Sequence, residues 1–214
     1  YRFHWNAPLL GSRHKSGVLY LAGNRVFRLT DKGEHFQVIS PDLTNNNAER
    51  VNASGSGAEN FGVIYSLAES PAKAGELWAG TDDGRLWVTE NDGSNWTELT
   101  ANLPEPARGE WIVRIEPGLK DPKVAYVVTN AYRRGDDRPT ILRTADLGKT
   151  WQSVVGEGIP PNDPVEVVRE DPVNPQPLYA GTHHGLFALF APGPPWPPVA
   201  GLPQCAVGYV ALRP

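Results

Sequence analysis

Two short polar turns in the sequence carry side chains that could bind a metal ion. One is His183-His184-Gly185 and the other is Asp82-Asp83-Gly84. Neutral imidazoles beside carboxylates make a mixed nitrogen and oxygen ligand set, which can hold a divalent metal and activate a water for hydrolysis. The alternative is that a two-residue turn simply requires polar residues that tolerate positive φ. The turn interpretation requires no cofactor, whereas the metal interpretation requires the two pairs to meet.

A second set of candidates lies in segments with the alternating pattern of β-strands. Paired carboxylates at such positions could serve as general acid and base in glycoside cleavage. The same alternation fits residues that line a solvated pore or pack between sheets. The catalytic candidates are Glu116, Glu166, Glu170 and His4, and Asn6 and Arg114 share their place in the pattern.

A repeated turn sequence indicates the scaffold that must position these candidates. In the clearest copy, Asp146 stands two residues before Gly148 and five before Trp151. The carboxylate can accept backbone N–H bonds, the glycine can adopt positive φ, and the tryptophan anchors the returning strand. The pattern therefore predicts a β-hairpin turn with a structural role. Weaker copies place Asn91, Gly93 and Trp96, and then Asp31, Gly33 and Phe36, in the same roles, and a decayed copy spans residues 189–196.

These turns resemble the Asp-box of bacterial neuraminidase repeats (BNR), which is found in sialidases, sortilin-like receptors and some xyloglucan-hydrolysing enzymes. Residues 6–8, 23–28, 39–44, 79–84 and 170–172 are also similar to large bacterial sortilin-like proteins, which are often labelled glycosyl hydrolases. The resemblance covers nearly the whole chain. It implies a β-propeller, a secreted or periplasmic location and no required cofactor. It implies no particular activity, because the repeat is a scaffold that has been reused for many tasks.

The motifs that would imply catalysis within this resemblance do not match the sequence. A sialidase needs three clustered arginines for the substrate carboxylate, and the arginine-containing first-strand motif is not found in residues 1–4. The two catalytic aspartates of the xyloglucan-hydrolysing relatives cannot be matched residue by residue either. Sialidase activity is therefore not expected.

Composition agrees with an all-β fold and argues against several kinds of partner. The 214 residues include 22 glycines and 21 prolines, and no segment holds a long helical apolar pattern free of both. A formal net charge of −4 with interspersed signs argues against nucleic acid. Prolines interrupt the most apolar late segment, residues 186–202, so we expect no membrane span. The single Cys205 allows no intramolecular disulfide, and no signal peptide is visible.

We predict an all-β fold, a β-propeller of about four blades, each a four-stranded antiparallel sheet. The blades are expected at about residues 1–50, 51–104, 105–163 and 164–204, with residues 205–214 as the inner strand of a further blade or a closing latch. Residues 1–6 alternate in polarity and are predicted to form the first inner strand, and residues 44–59 a loop. Because an isolated blade exposes its faces, the ring must close alone, by homodimerisation, or with blades elsewhere in a longer protein.

Strand direction then predicts a functional face. Successive strands run antiparallel, so the turn after each second strand lies opposite the Asp-box turn after each third strand. Loops carried by a rigid scaffold converge there, and we expect a binding or scaffold module for a peptide, glycan or partner protein. The alternative is a hydrolase, acting on esters or phosphoesters with a metal or on glycosides with paired carboxylates. The residues expected on this face are Asn24, Arg25, Asp82, Asp83, Arg133, Arg134, Asp136, Asp137, His183 and His184.

Overall fold

The computed structural model describes residues 1–53, 61–174, 177–190 and 195–212, in which the strands form four successive antiparallel sheets, here called blades 1 to 4. Blade 1 contains β1 (Leu9–Gly11), β2 (Leu19–Ala22), β3 (Val26–Thr30) and β4 (His35–Val38). Blade 2 contains β5 (Ile64–Glu69), β6 (Leu77–Thr81), β7 (Leu86–Thr89) and β8 (Thr97–Glu98). Blade 3 contains β9 (Trp111–Pro117), β10 (Ala125–Asn130), β11 (Ile141–Thr144) and β12 (Gln152–Ser153). Blade 4 contains β13 (Val165–Glu170), β14 (Leu178–Thr182) and β15 (Leu186–Leu189).

Each blade is an up-and-down sheet in which consecutive strands are hydrogen-bonded neighbours, which confirms the predicted fold class. In blade 4 the place of the fourth strand is taken by an irregular segment. Ala188 N–H donates to the Pro197 carbonyl at 3.0 Å, and Val199 N–H donates to the Leu186 carbonyl at 2.8 Å. Proline has no N–H to donate, so this proline-rich segment cannot form a regular ladder. The turn before it, residues 191–194 of the decayed repeat, lies outside the described residues.

The first inner strand begins at Leu9, so the prediction of a strand in residues 1–6 is wrong. Instead, Arg2 lies across the end of blade 1, where its N–H donates to Asn24 Oδ1 at 3.0 Å and its carbonyl accepts from Asn24 N–H at 2.9 Å. The apolar residues of this segment are explained by side-chain packing rather than by strand pairing. Phe3 stacks on Phe27 of β3 with ring centroids 5.7 Å apart.

Helix is a minor part of the described chain, as the sequence predicts. The one α-helix among these residues is α1 (Ala48–Ala53), which lies in the polar run predicted as a loop. Residues 54–60 of that run are outside the described part. The 3-10 turns are Asp31–Gly33, Thr100–Asn102 and Tyr132–Arg134. None of the helices in the described residues is long and apolar enough to cross a membrane.

The apolar core consists of three clusters, one between each pair of successive blades. The cluster between blades 1 and 2 is centred on Tyr20, Ile64 and Leu77. Trp78 and Ile112 lie in the cluster between blades 2 and 3. The cluster between blades 3 and 4 includes Tyr126, Val168, Phe187 and Trp196. Each blade therefore depends on a neighbour to bury its side chains.

Carboxylates at the ends of two inner strands add polar links between blades. Glu69, at the end of β5, accepts from the Ser12 hydroxyl at 2.9 Å and from Arg13 N–H at 2.5 Å, both in blade 1. Glu170, at the equivalent place in β13, accepts from Leu119 N–H at 2.7 Å and from the Tyr126 hydroxyl at 3.0 Å, both in blade 3. The catalytic candidate Glu170 is thus engaged in joining blades 3 and 4.

The ring does not close within the described residues, because blades 1 and 4 have no core cluster between them. Register places several apolar side chains of blade 1 on the side that faces away from blade 2. We call this side the free face of blade 1, and it consists of Leu9, Leu19, Leu21, Phe27, Leu29, Phe36 and Val38. Leu9 is 62% exposed and Phe36 is 66% exposed. The free face therefore has the composition of an inter-blade surface but no neighbouring blade, although Tyr1 and Phe3 pack on Phe27.

The Asp-box turns of blades 2 and 3 are built around a buried threonine hydroxyl. In blade 3, Thr144 Oγ1 accepts from Gly148 N–H at 2.9 Å and donates to Asp146 Oδ1 at 2.8 Å. Asp146 in turn accepts from Thr150 N–H at 2.9 Å, and this contact and the Thr150 hydroxyl lower the pKa of Asp146 to about 2. Trp151 Nε1 donates to the Gly148 carbonyl at 3.1 Å, which ties the returning strand to the turn.

The other two copies can be compared with this arrangement. In blade 2, Asn91 Oδ1 accepts from the Thr89 hydroxyl at 3.0 Å and from Asn95 N–H at 2.9 Å, and Gly93 has φ 86°. In blade 1, Asp31 instead begins a 3-10 turn that the side chain of Thr30 does not cap. Phe36, expected to anchor the returning strand, lies on the free face. The turn of blade 1 therefore has a different geometry from the other two.

Candidate functional site

Five rings form a continuous row, here called the aromatic ribbon, at the ends of blades 1 to 3 that lie opposite the Asp-box turns. In the order Trp5, His4, Tyr65, Trp111 and Tyr132, successive ring centroids are 6.5, 5.6, 4.6 and 5.7 Å apart. These distances are those of favourable ring pairs. Trp5 is 69% exposed and Tyr132 is 50% exposed, so the ribbon is a surface feature at both ends.

Local irregularities of the strands bring these rings together. Tyr65 is the extra residue of a β-bulge in β5, next to the pairing with Thr81 that ends the sheet on this side. A bulge redirects side chains, so Tyr65 turns toward blade 3. Trp111 is the first residue of β9, and Tyr132 begins the 3-10 turn that follows β10. All three positions adjoin the turns predicted to form the functional face.

Arg133 extends the ribbon with a positive charge. Its guanidinium lies 4.5 Å from the ring centroid of Trp111 and 5.4 Å from that of Phe61, within the range of cation–π attraction. Nη1 donates to the backbone carbonyl of Asp82 at 3.2 Å and lies 3.8 Å from the carboxylate of the same residue. Contacts on two sides therefore hold the Arg133 side chain over the indole.

Asp82 and Asp83, two of the metal candidates, are occupied with backbone groups. Asp82 Oδ1 accepts from Gly62 N–H at 3.0 Å and from Val63 N–H at 2.9 Å, in the segment that enters β5. Burial raises the pKa of Asp82 to about 6, although the bond from Val63 acts in the opposite direction. Asp83 accepts from Asn45 N–H at 2.8 Å and from the Thr81 hydroxyl at 2.5 Å, and burial raises its pKa as well. Both carboxylates fasten loops of this face.

Asn24 and Arg25 belong to a polar network at the end of blade 1. Asn24 Nδ2 donates to Asp42 Oδ2 at 2.7 Å, and Arg2 Nη2 donates to the same oxygen at 3.0 Å. Burial alone would raise the pKa of Asp42, but hydrogen bonds from Thr44 and Asn24 outweigh it and lower the pKa. Arg25 Nη1 donates to the Ser40 carbonyl at 3.3 Å. The network fixes the connection from blade 1 to blade 2.

Charged side chains in the loop that follows β10, residues 133–138, form ion pairs with residues nearby. Arg134 forms an ion pair with Glu110, and Arg138 Nη2 lies 2.6 Å from Asp136 Oδ2. The hydrogen bond from Arg138 lowers the pKa of Asp136 to about 2. Asp137 makes no hydrogen bond or ion pair with the described part of the chain. These charges therefore form local pairs and do not converge on one point.

The two histidines of blade 4 contact one carboxylate each. His183 Nε2 lies 2.9 Å from Glu166 Oε1, and His184 Nδ1 lies 2.8 Å from Asp163 Oδ1. Asp163 is buried, and its other oxygen accepts from the Thr182 hydroxyl at 2.6 Å. Among the described residues, no three histidine, cysteine, aspartate or glutamate side chains come together as a metal-binding group. The contacts thus do not join the histidine pair to Asp82 and Asp83.

The catalytic candidates have separate partners. Glu116 forms an ion pair with Arg169 of blade 4, and Glu166 contacts His183. Glu170 accepts the bonds from blade 3 described above. His4 lies in the aromatic ribbon. None of these contacts places two of the candidate carboxylates side by side.

The sequence does not single out the aromatic ribbon, the partly buried carboxylate of Asp42 or the buried carboxylate of Asp163. One usable signal exists, because Tyr132 directly precedes Arg133, which is assigned to the functional face. Tyr65 gives no such signal, since its orientation depends on a bulge. Periodicity assumes regular alternation, and a bulge breaks it.

No model of a protein family matches the sequence, and no curated protein matches it either. Solved structures do match. An ancestral GH74 enzyme has a TM-score of 0.66 and 17% identity, over 91% of this chain and 24% of that chain. The structure of YCF48 bound to D1 peptide has a TM-score of 0.52 and 17% identity, over 92% of this chain and 56% of that chain. The Cps50 (Swd1) β-propeller domain of Myceliophteria thermophila has a TM-score of 0.59 and 12% identity, over 89% of this chain and 53% of that chain.

At these identities the likeness shows the fold and not the function. This chain spans between 24% and 56% of the length of the three proteins. The similar structures include an enzyme and a protein bound to a peptide. The chain is therefore an open set of β-propeller blades, a fold that serves both catalysis and binding.

Proposed function

We propose that this chain is a binding module that receives a peptide or protein segment along the aromatic ribbon. The ribbon, with Arg133 held over Trp111, is the observation that carries the proposal. Tryptophan, tyrosine and arginine supply most of the binding energy at protein interfaces, because they bury a large area at a small cost in conformational entropy. Trp5 and Tyr132 are exposed rings that no core requires.

The tilt of the rings favours a peptide over a glycan. The planes of Tyr65 and Trp111 are 78° apart, and those of Trp111 and Tyr132 are 48° apart. The ribbon thus offers edges and gaps between rings rather than one flat platform, which suits side chains that insert between them. The fold of YCF48, solved with the D1 peptide, supports the same choice. A glycan is the second ligand class to be tested.

The hydrolase alternative has less support. Its candidate groups are engaged with other partners: Glu116 with Arg169, Glu166 with His183, and Glu170 with blade 3. The GH74 likeness concerns the fold. Turnover of an ester, phosphotriester or glycoside substrate by the purified protein, and its response to a chelator, would revive this alternative.

The proposal includes a family assignment within the β-propeller fold, namely the sortilin-like BNR proteins. In the Asp-box turns of blades 2 and 3, the aspartate or asparagine, the glycine and the tryptophan lie as the sequence pattern predicts. This supports a sortilin-like BNR protein, secreted or periplasmic. We further propose that other blades complete the ring, from a second copy or from a longer protein, because the free face of blade 1 has no neighbour.

The proposal can be tested by selecting ligands and then altering the ribbon. A phage-displayed library of random peptides and a glycan array are screened against the immobilised protein. We expect peptides to be selected, and Tyr132→Ala and Trp5→Ala to weaken the selected peptide by at least about 10-fold, as truncation of an interface aromatic does. Phe190→Ala is the matched control, since Phe190 is 63% exposed but lies at the opposite end of blade 4.

Two results would contradict the proposal. One is a selected peptide whose affinity is the same for the ribbon variants and for Phe190→Ala. The other is selection of glycans alone, which would replace the peptide with a carbohydrate ligand on the same or another surface. Circular dichroism of each variant checks that the blades remain folded.

A further inference from the structure

Arg114, in the middle of β9, is a partly buried arginine without a partner. Its Nε is fully buried and has no hydrogen-bond acceptor, while the residue as a whole keeps some exposure. Among the described residues it forms no ion pair within 4.0 Å. Trp111, which opens the same strand, has a buried Nε1–H that also lacks an acceptor. Two unused donors thus lie on one inner strand, at and beside the aromatic ribbon.

Such an arrangement is costly unless an acceptor arrives. A buried donor without a partner loses its hydration, and a guanidinium loses more than a neutral group. Burial accordingly lowers the pKa of Arg114. Structures rarely leave buried polar groups unpaired, and those that do often hold a missing ligand, water or ion. Among the described residues, no carboxylate lies within 4.0 Å of the Arg114 side-chain nitrogens.

The neighbours of Arg114 are committed elsewhere. The carboxylate that acts on it electrostatically is Glu166, which is engaged with His183 at 2.9 Å. Arg169 is close enough for the charge of Arg114 to lower its pKa, after the larger effect of burial, and Arg169 is paired with Glu116. Tyr65 of the ribbon is close enough to Arg114 to act on it electrostatically. Arg114 is therefore the one member of this group of charges that has no ion-pair partner within 4.0 Å among the described residues.

We propose that Arg114, together with the indole N–H of Trp111, receives a carboxylate of the ligand that lies on the aromatic ribbon. This inference rests on the proposed function and names the ligand as an acidic peptide, with an aromatic or apolar side chain among the rings and a carboxylate at Arg114. Arginine suits this task because its planar donors can form charge-assisted bonds to both oxygens. Arg114 binds and orients the ligand and takes part in no reaction.

A pair of probes that differ only in the carboxylate tests the inference. N-acetyltryptophan carries an aromatic ring and a carboxylate, and N-acetyltryptophanamide carries the same ring with a neutral amide. Titrations are followed by the arginine Nε–H and indole N–H signals in nitrogen-15 NMR spectra. We expect the acid to bind at least about 10-fold more tightly than the amide, as a charge-assisted bond to a desolvated arginine allows.

Variants separate this inference from the function on which it rests. Arg114→Gln should reduce the ratio of the two affinities to about 1, whereas Tyr132→Ala should weaken both probes and keep the ratio. Equal binding of acid and amide to the native protein overturns the anion site but leaves the ribbon as a binding surface. Absence of any change at the Trp111 indole with either probe overturns both. The native protein alone decides between these outcomes, so the test survives a variant that fails to fold.

Discussion

At the scale of single residues, Asp82 lies on the predicted functional face, but its carboxylate stabilises the fold. It fixes two backbone N–H groups of the segment entering blade 2, and it also faces the Arg133 guanidinium that lies over the ribbon. The same carboxylate is almost fully buried, at 4% exposure. Hydration lost on burial therefore competes with the hydrogen bonds it accepts, and the outcome is a raised pKa.

The raised pKa of Asp82 leads to a prediction of pH-dependent stability. Its value is about 6 in the folded chain, whereas an unfolded aspartate titrates at about 3.9. Between these values the folded state holds a proton that the unfolded state has lost, so stability falls as pH rises from about 4 to 6. We expect the native chain to lose about 2 to 3 kcal/mol of unfolding free energy across this window relative to Asp82→Asn.

Urea unfolding of both proteins at several pH values from 4 to 7 measures this difference. The asparagine keeps an acceptor oxygen for the two N–H groups but does not titrate, so other carboxylates cancel in the comparison. A difference that stays constant with pH would mean that Asp82 is already ionised in the folded chain.

Residue identity predicts turn chemistry better than it predicts the site. Asp82-Asp83-Gly84 and His183-His184-Gly185 connect β6 to β7 and β14 to β15, as the turn interpretation holds. The expected positive φ occurs only at Gly84, and not at the aspartates or histidines. Which side chains meet across blades depends on how the sheets stack, and a single sequence does not contain that information. The contact between Tyr65 and Trp111 joins residues 46 positions apart through a bulge.

At the scale of elements, the Asp-box turn is organised by a threonine as much as by its aspartate. Thr144 and Thr89 each place a buried hydroxyl where it accepts the N–H of the turn glycine, at 2.9 and 3.1 Å. In blade 1, no such bond from the Thr30 side chain caps the turn. The turns of blades 2 and 3 therefore differ from the turn of blade 1 in having a threonine hydroxyl that accepts a backbone N–H of the turn.

This difference predicts that Thr144→Val is destabilising and that Thr30→Val is not. Valine keeps the volume but leaves the buried Gly148 N–H without an acceptor, which costs about 1 to 3 kcal/mol. The matched change in blade 1 removes no such bond, and we expect it to stay within about 0.5 kcal/mol of the native chain. Equilibrium unfolding in urea gives both values. Equal costs for the two substitutions would contradict the role of the hydroxyl.

Strands with regular alternation and glycine-marked turns could be predicted from the sequence, and the exceptions have identifiable physical causes. Residues 1–6 alternate as a strand would, but Phe3 packs on Phe27 and Arg2 bonds to Asn24. Local pattern cannot tell a paired strand from a segment held by side-chain packing. In blade 4, prolines keep the fourth segment from becoming a regular strand.

At the scale of the whole molecule, the four blades leave two unlike faces without a neighbouring blade. The free face of blade 1 is equivalent to the surfaces that blades 2 to 4 turn toward the preceding blade. The corresponding face of blade 4 is the one that would receive a following blade, and Val207 and Val210 of the last described segment lie against it. We propose that blade 1 of one copy packs on blade 4 of another, so that a twofold axis closes two chains into one ring.

The solution mass tests whether a second copy completes the ring. We expect the purified chain to sediment at about twice its mass of 23.4 kDa. Phe36→Asp places a charge on the free face and should give monomers. Tyr132→Ala, which alters an exposed aromatic on the ribbon, should leave the dimer intact. A native chain that is monomeric would contradict the dimer, and further blades of a longer protein would then have to cover this face.

The chain of inter-blade links, from Glu69 to blade 1 and from Glu170 to blade 3, has a consequence for cooperativity. Blades 2 and 3 are supported on both flanks, whereas blades 1 and 4 are supported on one. Repeat proteins with nearest-neighbour coupling open from their least supported ends. In a chain whose ring is not closed, fraying would then begin at blades 1 and 4, releasing His4 and Trp5 at one end of the ribbon, and would reach the segments around Tyr65 and Trp111 last.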